Sequence, residues 1–108
     1  LYPAIEPRKM EESRLPLSGN AAGAVIMINL HHELHEPLKL LKDCSRVLKP
    51  VGKLAIVDWK KKETEHGPPV NKRCDAGTIQ QQLQDVPFHS IRIYEELPNH
   101  FLIVADKE

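Results

Sequence analysis

The chain has 108 residues, of which 41% are hydrophobic and 28% charged, as is ordinary for one small globular domain. Fifteen basic residues balance fifteen acidic ones, and this argues against a general binder of nucleic acid or of anionic membranes. No apolar stretch is long enough to cross a bilayer, and no signal peptide is visible. Cys44 and Cys74 fit no metal spacing, so we expect a reduced, cytoplasmic protein. Because the chain opens on Leu1 rather than Met, we expect a fragment or a chain with segments missing.

The first half of the chain predicts two strands and a helix. Residues 1–5 are apolar enough for a short strand, and a turn-rich segment follows. Residues 24–29 form a continuous apolar run, as expected of a strand covered on both faces. Pro37 begins a helix that reaches about residue 48, with apolar residues at helical spacing. Its polar face is predicted to carry Lys39, Lys42, Asp43 and Arg46, and residues 49–52 end it with a turn.

The second half predicts one more buried strand, one more helix and a closing strand pair. Residues 53–59 read as a buried strand, and a polar loop follows. The carboxylate of Asp75 is placed to cap a helix that runs to about Val86. Residues 89–94 alternate and residues 100–105 are apolar, which predicts an antiparallel pair. This order indicates an α/β fold with a mostly parallel sheet and an antiparallel C-terminal strand.

Several segments, in this order, resemble the C-terminal half of class I S-adenosylmethionine-dependent methyltransferases. They are Leu15-Pro16-Leu17-Ser18-Gly19-Asn20, Asn29-Leu30-His31-His32-Glu33-Leu34, Arg46-Val47-Leu48-Lys49-Pro50-Val51-Gly52-Lys53-Leu54, Ile56-Val57-Asp58-Trp59, Gly67-Pro68-Pro69 and the closing His100-Phe101-Leu102-Ile103-Val104-Ala105. The nearest subgroup is similar to the ubiquinone- and menaquinone-biosynthesis enzymes of the methyltransferase type 11 group. The resemblance implies a Rossmann-like three-layer sandwich, incomplete at its N-terminus. Residues 1–108 would form a single partial domain, with 15–108 as the C-terminal half and 1–14 as a candidate remnant of the cofactor-binding half.

The resemblance implies methyl transfer from S-adenosylmethionine to a small-molecule acceptor. The implied cofactor-binding residues are Glu6, Glu11, Glu12, Asn29 and Leu30. Glu6 would accept hydrogen bonds from the ribose hydroxyls, since a carboxylate can accept from both donors of a diol. The alternative, a solvent-facing glutamate before a proline, stays open.

His32, His35 and Trp59 are the candidates for contact with the methyl acceptor, because the ends of parallel strands are where open α/β sheets bind ligands. Either histidine could act as a general base. Trp59 could instead cap the core beside Pro68. The histidines lack the zincin spacing and a third ligand, so we expect no metal. Positioning dominates methyl transfer, and no catalytic residue is assigned.

The chain also departs from this family. It has no first strand with a glycine-rich turn, Gly23 stands where the family often has Asp, and Val51 replaces a glycine, which disfavours a turn with positive φ. The spacing from Glu6 to Leu15 leaves no room for a helix and third strand, which indicates a deletion or missing residues. The alternative function is therefore a non-catalytic, truncated interaction domain. A nicotinamide-dependent oxidoreductase ranks last, because no Gly-x-Gly-x-x-Gly turn exists.

The missing first strand also bears on assembly. Residues 24–29 would have an unpaired edge without Lys or Pro to discourage pairing. We therefore expect a homo-oligomer, such as a dimer, or association with the missing N-terminal half.

For the two cysteines the sequence favours structural roles. Cys44 lies on the apolar stripe of the predicted helix and is expected in the core. Cys74 stands beside Arg73, whose charge could lower the thiol pKa, but a free surface thiol is the preferred interpretation.

Overall fold

In a computed structural model, the structure describes residue 5 and residues 7–107. The described residues form four strands, β1 (Ala22–Ile28), β2 (Leu48–Trp59), β3 (His89–Tyr94) and β4 (His100–Asp106), and two helices, α1 (Pro37–Val47) and α2 (Ala76–Asp85). Single 3₁₀ turns span His31–Glu33 and Val70–Lys72. The predicted order of elements from residue 24 onward is confirmed. The strand proposed for residues 1–5 lies outside the described residues, apart from Ile5, which is not in a strand.

The strands form one mixed sheet in the order β1-β2-β4-β3. β1 pairs with β2 in parallel, and α1 connects them, as predicted. β4 is antiparallel to both of its neighbours, β2 and β3. Three strands therefore run in one direction and the C-terminal strand runs against them, which confirms the predicted sheet.

Both helices pack on the same face of this sheet. Leu41 and Cys44 of α1 and Leu83 of α2 join one buried cluster with Ile56 and Ile103 of the central strands. The predicted helix start at Asp75 is confirmed, because its Oδ1 accepts a hydrogen bond from the backbone N–H of Thr78 at 2.8 Å. Such a bond satisfies one of the free amides in the first turn.

Among the described residues, the opposite face of the sheet is largely exposed. Ile26 and Ile28 of β1 are 65% and 64% exposed, whereas Met27 between them is buried. The expectation that this strand is covered on both faces is therefore wrong for the described residues. The described residues supply two layers of the three-layer arrangement. One layer is the sheet, and the other consists of α1 and α2.

A bulge lies where the sequence predicts a turn between α1 and the next strand. β2 begins at Leu48, earlier than predicted, and its pairing with β1 shifts between Ala22 and Ala24. Val51 adopts a φ of 58° within this bulge, so the strained conformation is kept despite the β-branched side chain. Gly52 is required next to it, because a Cβ there would lie 2.8 Å from the carbonyl oxygen of Lys49.

Asp43 corrects the predicted polar face of α1, since its side chain is only 8% exposed. Its carboxylate accepts hydrogen bonds from the backbone N–H of Leu15 at 2.6 Å and from Nε of Arg46 at 2.7 Å. Arg46 in turn donates to the carbonyl oxygens of Leu15 and Leu17. These bonds lower the pKa of Asp43, with the hydrogen bond from Arg46 the largest cause, and they fasten the segment around Leu15 to α1.

Candidate functional site

The candidate site lies where β1 and β2 end. Asn29 follows β1 in a left-handed conformation, with a φ of 53°, which asparagine tolerates better than most residues. Its backbone N–H donates to the carbonyl oxygen of Val57 at 2.8 Å. This bond continues the pairing of the two strands to their ends and brings the turn at His31–Glu33 beside Asp58, as expected for parallel strands.

His32 and Asp58 form a hydrogen-bonded pair at this edge, in which Asp58 is buried and His32 is partly buried. The Nδ1 atom of His32 lies 2.8 Å from Oδ1 of Asp58, and the backbone N–H of His32 donates to Oδ2 at 3.0 Å. The side chains are 9% and 1% exposed, respectively. A carboxylate only accepts hydrogen bonds, so Nδ1 is the donor, and the imidazole has one orientation relative to the strand ends.

His31 faces the core instead. It is 1% exposed, and its Nε2 lies 2.7 Å from Oε1 of Gln82 on α2. Burial is the largest cause that lowers the pKa of His31, which keeps the ring neutral. Among the described residues its Nδ1 has no hydrogen-bond partner. His31 therefore joins the turn to α2 and is closed off from solvent.

His35 is bound to Glu12 at the start of α1. The Oε1 of Glu12 lies 3.0 Å from Nδ1 of His35, and Oε2 accepts from the backbone N–H groups of His35 and Glu36. The side-chain hydrogen bond from His35 is the largest cause that lowers the pKa of Glu12. The carboxylate of Glu12 thus supplies acceptors to the free amides just before the helix, a position where negative charge is favourable.

Two cavities open side by side along these turns. The larger, of about 460 Å³, is lined by His32, Glu33, Leu34, His35, Pro68 and Lys72. The smaller, of about 280 Å³, is lined by Met10, Glu11, Glu12, Leu30, Glu33 and Leu34. Glu33 and Leu34 contribute to the lining of both, so the two volumes are neighbours. The larger volume is within the range of small-molecule sites, and the smaller is close to it.

Arg73 organises the loop that forms one side of the larger cavity. Its guanidinium is buried, and it donates to the carbonyl oxygens of Lys60, Lys62, His66 and Pro68 and to the hydroxyl of Thr64. The rigid fork of an Arg side chain suits several acceptors at once. Arg73 therefore fixes the backbone that carries Pro68 to the cavity.

Trp59 packs beneath this loop. Its ring centroid lies 4.2 Å from that of His100, and the Arg73 guanidinium stands 5.1 Å above it. Gly67, with a φ of 99°, passes so close that a Cβ would lie 2.9 Å from the indole. Trp59 is thus a support for the loop, and the side chains that line the larger cavity come from other residues.

The cysteines have structural surroundings. Burial raises the pKa of Cys44 to about 12, and the expected core position is confirmed. The expectation that Arg73 lowers the thiol pKa of Cys74 is wrong. Burial, followed by the charge of Asp58, raises it, while the Arg73 guanidinium is directed to the loop carbonyls.

The predicted site residues fall into distinct places. Glu11, Glu12 and Leu30 line the smaller cavity, while His32 and His35 line the larger one. Asn29 stands at the end of β1, Trp59 lies beneath the loop, and Glu6 lies outside the described residues. Sequence reasoning missed Gln82, whose partner His31 lies 51 residues away, and Arg73, whose partners lie 5 to 13 residues away in an irregular loop. The pairing of Asp43 with Arg46, three residues apart on one helix, was a signal that could have been found.

In residue 5 and residues 7–107, no group of three or more His, Cys, Asp or Glu side chains is arranged to hold a metal ion. In the same part of the chain, no helix has the length and apolar character needed to span a membrane.

The profile of the methyltransferase domain family matches residues 3–56, which are 54 of the 108 residues. The chain therefore belongs to this methyltransferase family. Its structure is similar to that of a SAM-dependent methyltransferase from Aquifex aeolicus, with 36% identity and a TM-score of 0.90 over 95% of this chain and 55% of that one. No curated protein sequence matches the chain.

More distant structures share the fold alone. They include phosphoethanolamine N-methyltransferase 2 of Haemonchus contortus in complex with S-adenosyl-L-methionine, at 12% identity and a TM-score of 0.74 over 90% of this chain and 36% of that one. The [4+2]-cyclase SpnF is also similar, at 18% identity and a TM-score of 0.75 over 91% of this chain and 54% of its own. The chain spans about half the length of the Aquifex protein and of SpnF. It spans a smaller share of the phosphoethanolamine enzyme.

Proposed function

We propose that the chain takes part in transfer of a methyl group from S-adenosylmethionine to a small-molecule acceptor. The observation that carries the proposal is the pair of cavities that share Glu33 and Leu34 as a common wall. Transfer requires that acceptor and methyl donor be held next to each other and in line. Two adjacent volumes at the ends of parallel strands support such a placement of donor and acceptor, and family membership supports the same reaction.

The smaller cavity suits the nucleoside end of the cofactor. Met10, Leu30 and Leu34 offer apolar contacts for a base, and the carboxylate of Glu11 offers acceptors for ribose hydroxyls. The oxygens of Glu12 already accept hydrogen bonds from the turn before α1, so Glu12 would shape this cavity more than bind the ligand. When bound, the cofactor supplies a methyl group on a sulfonium centre.

The larger cavity suits the methyl acceptor. His32, His35 and Lys72 bring groups that form hydrogen bonds, and Leu34 and Pro68 add apolar surface. This mixture is typical of small-molecule sites, where a few polar groups fix orientation. His35 is 90% exposed and lies at the rim, whereas His32 is nearly buried.

Binding of S-adenosylmethionine to the full chain tests the proposal. Isothermal titration should give measurable affinity for the wild type, and Glu11→Ala should weaken binding by about 1–3 kcal/mol, the usual loss for a hydrogen bond to a charged group. The same titration of Glu6→Ala tests the role implied for that residue. Glu96→Ala, an exposed change in the β3–β4 turn, is the matched control. Absence of binding by the wild type would contradict the proposal.

The partner and the compartment are also proposals. The apolar, open face of the sheet and the edge strand β1 support association with a second copy or with the remaining half of a longer methyltransferase. Cys44 and Cys74 are both free thiols, which supports a cytoplasmic protein. A non-catalytic role, as a truncated interaction domain, stays the alternative, because a shared fold does not by itself imply a shared function.

A further inference from the structure

Asp58 is an enclosed carboxylate at the end of β2, with 1% of its surface exposed. It accepts hydrogen bonds from Nδ1 and the backbone N–H of His32 and from the backbone N–H of Trp59, at 2.8, 3.0 and 2.8 Å. Burial of a charge is costly unless the group is paired and hydrogen-bonded, and these three donors offset that cost. The carboxylate of Asp58 is therefore fixed by two backbone N–H groups and by the imidazole of His32.

This contact determines which nitrogen of His32 is available. Because Nδ1 donates its proton to Asp58, Nε2 of the neutral ring carries the lone pair. His32 lines the larger cavity. The charged or titratable groups around the ring are Asp58, Glu33, whose Oε1 lies 3.9 Å from Nε2, and the cavity residues His35 and Lys72, with His31 beside it in the same turn.

We propose that His32, oriented by Asp58, is the general base for the acceptor, and that the acceptor is a nucleophile with a removable proton on oxygen or nitrogen. This inference rests on the proposed function. A nucleophile that already has a free lone pair and no proton to lose, such as a thioether, would have no use for the pair. A hydroxyl group or a protonated amine gains from it.

The acceptor proton passes to Nε2 of His32, which frees the electron pair of an ammonium nitrogen or makes a hydroxyl oxygen more nucleophilic. That nitrogen or oxygen then forms a bond to the methyl carbon, and the carbon–sulfur bond breaks with its pair left on sulfur, so that the sulfonium becomes a neutral thioether. The imidazolium that results lies 2.8 Å from the Asp58 carboxylate, which stabilises its charge.

Neither neighbouring histidine offers the same arrangement. His31 is buried, with its Nε2 bonded to Gln82 on the far side of the turn. His35 is 90% exposed and held by Glu12. Only one of these three described histidines combines burial, a carboxylate on Nδ1 and a place in the cavity wall.

Nitrogen-15 NMR of histidine-labelled full chain tests the tautomer without any cofactor. His32→Gln assigns the resonances, and His89→Gln, an exposed change on β3, is the control. The neutral His32 ring should carry its proton on Nδ1 and leave Nε2 bare. Asp58→Asn should disturb this preference, because the amide can also donate to Nδ1. A wild-type ring protonated on Nε2 would overturn the proposal.

Three small probes distinguish the acceptor chemistry. Phenol offers a hydroxyl proton, benzylamine an ammonium proton, and anisole neither, while all three have similar rings. Phenol or benzylamine should shift the Nε2 resonance of His32, and whichever does so indicates oxygen or nitrogen as the nucleophile. The proposal would be contradicted if anisole shifted the Nε2 resonance as much as phenol and benzylamine do. It would also be contradicted if none of the three probes shifted that resonance.

Methyl transfer to the responsive probe separates this inference from the proposed function. His32→Gln should lower kcat about 10²–10⁴-fold, the usual contribution of a general base, with the Kd for S-adenosylmethionine unchanged. Equal rates in variant and wild type would contradict the role of His32. Failure of the wild type to bind S-adenosylmethionine would instead contradict the proposed function. The tautomer measurement would still test whether Asp58 orients His32, because it needs no cofactor.

Discussion

At the scale of single residues, Val51 carries the clearest conformational cost. Its φ of 58° is unfavourable for a β-branched side chain, by about 1–2 kcal/mol. The side chain is 78% exposed, so it gains little from packing in return. The surrounding backbone explains why the strain persists. The pairing of β1 with β2 shifts register at this bulge, and the Cα of Gly52 lies close to the carbonyl oxygen of Lys49.

We expect Val51→Gly to stabilise the chain by about 1 kcal/mol, because glycine adopts positive φ freely and its larger loss of entropy offsets only part of the gain. The melting temperature should rise by about 4–8 °C for such a change in a small domain. Val51→Ala, which keeps a Cβ but removes the branch, should recover less. A melting temperature that stays the same or falls in Val51→Gly would show that the bulge is not strained.

Residue-scale features were the hardest to predict from sequence. The capping role of Asp75 was predicted because a cap is local, joining residues three apart. The bonds of Arg73 to the loop and of His31 to Gln82 were not, because they join residues that only the fold brings together. The lowered pKa expected for Cys74 failed for a related reason. Adjacency in sequence placed Arg73 next to the thiol, but folding directs its guanidinium to carbonyl oxygens.

At the scale of elements, the apolar patterns predicted the strands and helices well. Continuous apolar runs marked β1 and β2, and alternation marked β3. The run in β1 identified a strand but overstated its burial, because Ile26 and Ile28 lie on the exposed face. Boundaries were less certain, as the early start of β2 at Leu48 illustrates. The sequence placed the candidate site at the ends of β1 and β2, which stays a prediction, and the presence of two cavities at this edge depends on side-chain contacts that the sequence does not reveal.

The link between α1 and the segment around Leu15 is an element-scale contact that depends on pH. The pKa of Asp43 is lowered in the folded chain, so its ionised form favours folding. The resulting stability is present above the ordinary carboxyl pKa near about 4 and is lost as pH falls through the lower folded value.

Asp43→Asn should therefore destabilise the chain by about 1–3 kcal/mol at pH 7, the usual cost of leaving buried donors without their charged acceptor. The difference from wild type should shrink when pH falls below about 4. Urea unfolding at pH 7 and at pH 3 measures both values. Asp85→Asn, an exposed change at the end of α2, should have little effect at either pH. An equal loss at both pH values would show that the carboxylate charge is not responsible.

At the scale of the whole molecule, the described residues leave one face of the sheet uncovered. β1 is an edge strand whose side chains Ile26 and Ile28 are largely exposed. Across the sheet their rows continue with half-buried apolar side chains, which are Ala55, Val57, Leu102 and Val104. No Lys or Pro occurs in β1, so the usual protection of an edge strand against pairing is missing. Contiguous apolar surface of this kind marks an interaction site.

We therefore expect the 108-residue chain in isolation to associate at micromolar concentration through β1 and the open face. Light scattering coupled to size exclusion should give a mass above the 12.3 kDa of one chain. Ile26→Lys should shift the population toward monomer, because it places a charge in the centre of the contact. Leu38→Lys, a change at a 39% exposed residue on the helical side, is the matched control and should leave the mass unchanged. A strictly monomeric wild type with a cooperative melt would contradict this prediction, since the exposed isoleucines would then be tolerated in water.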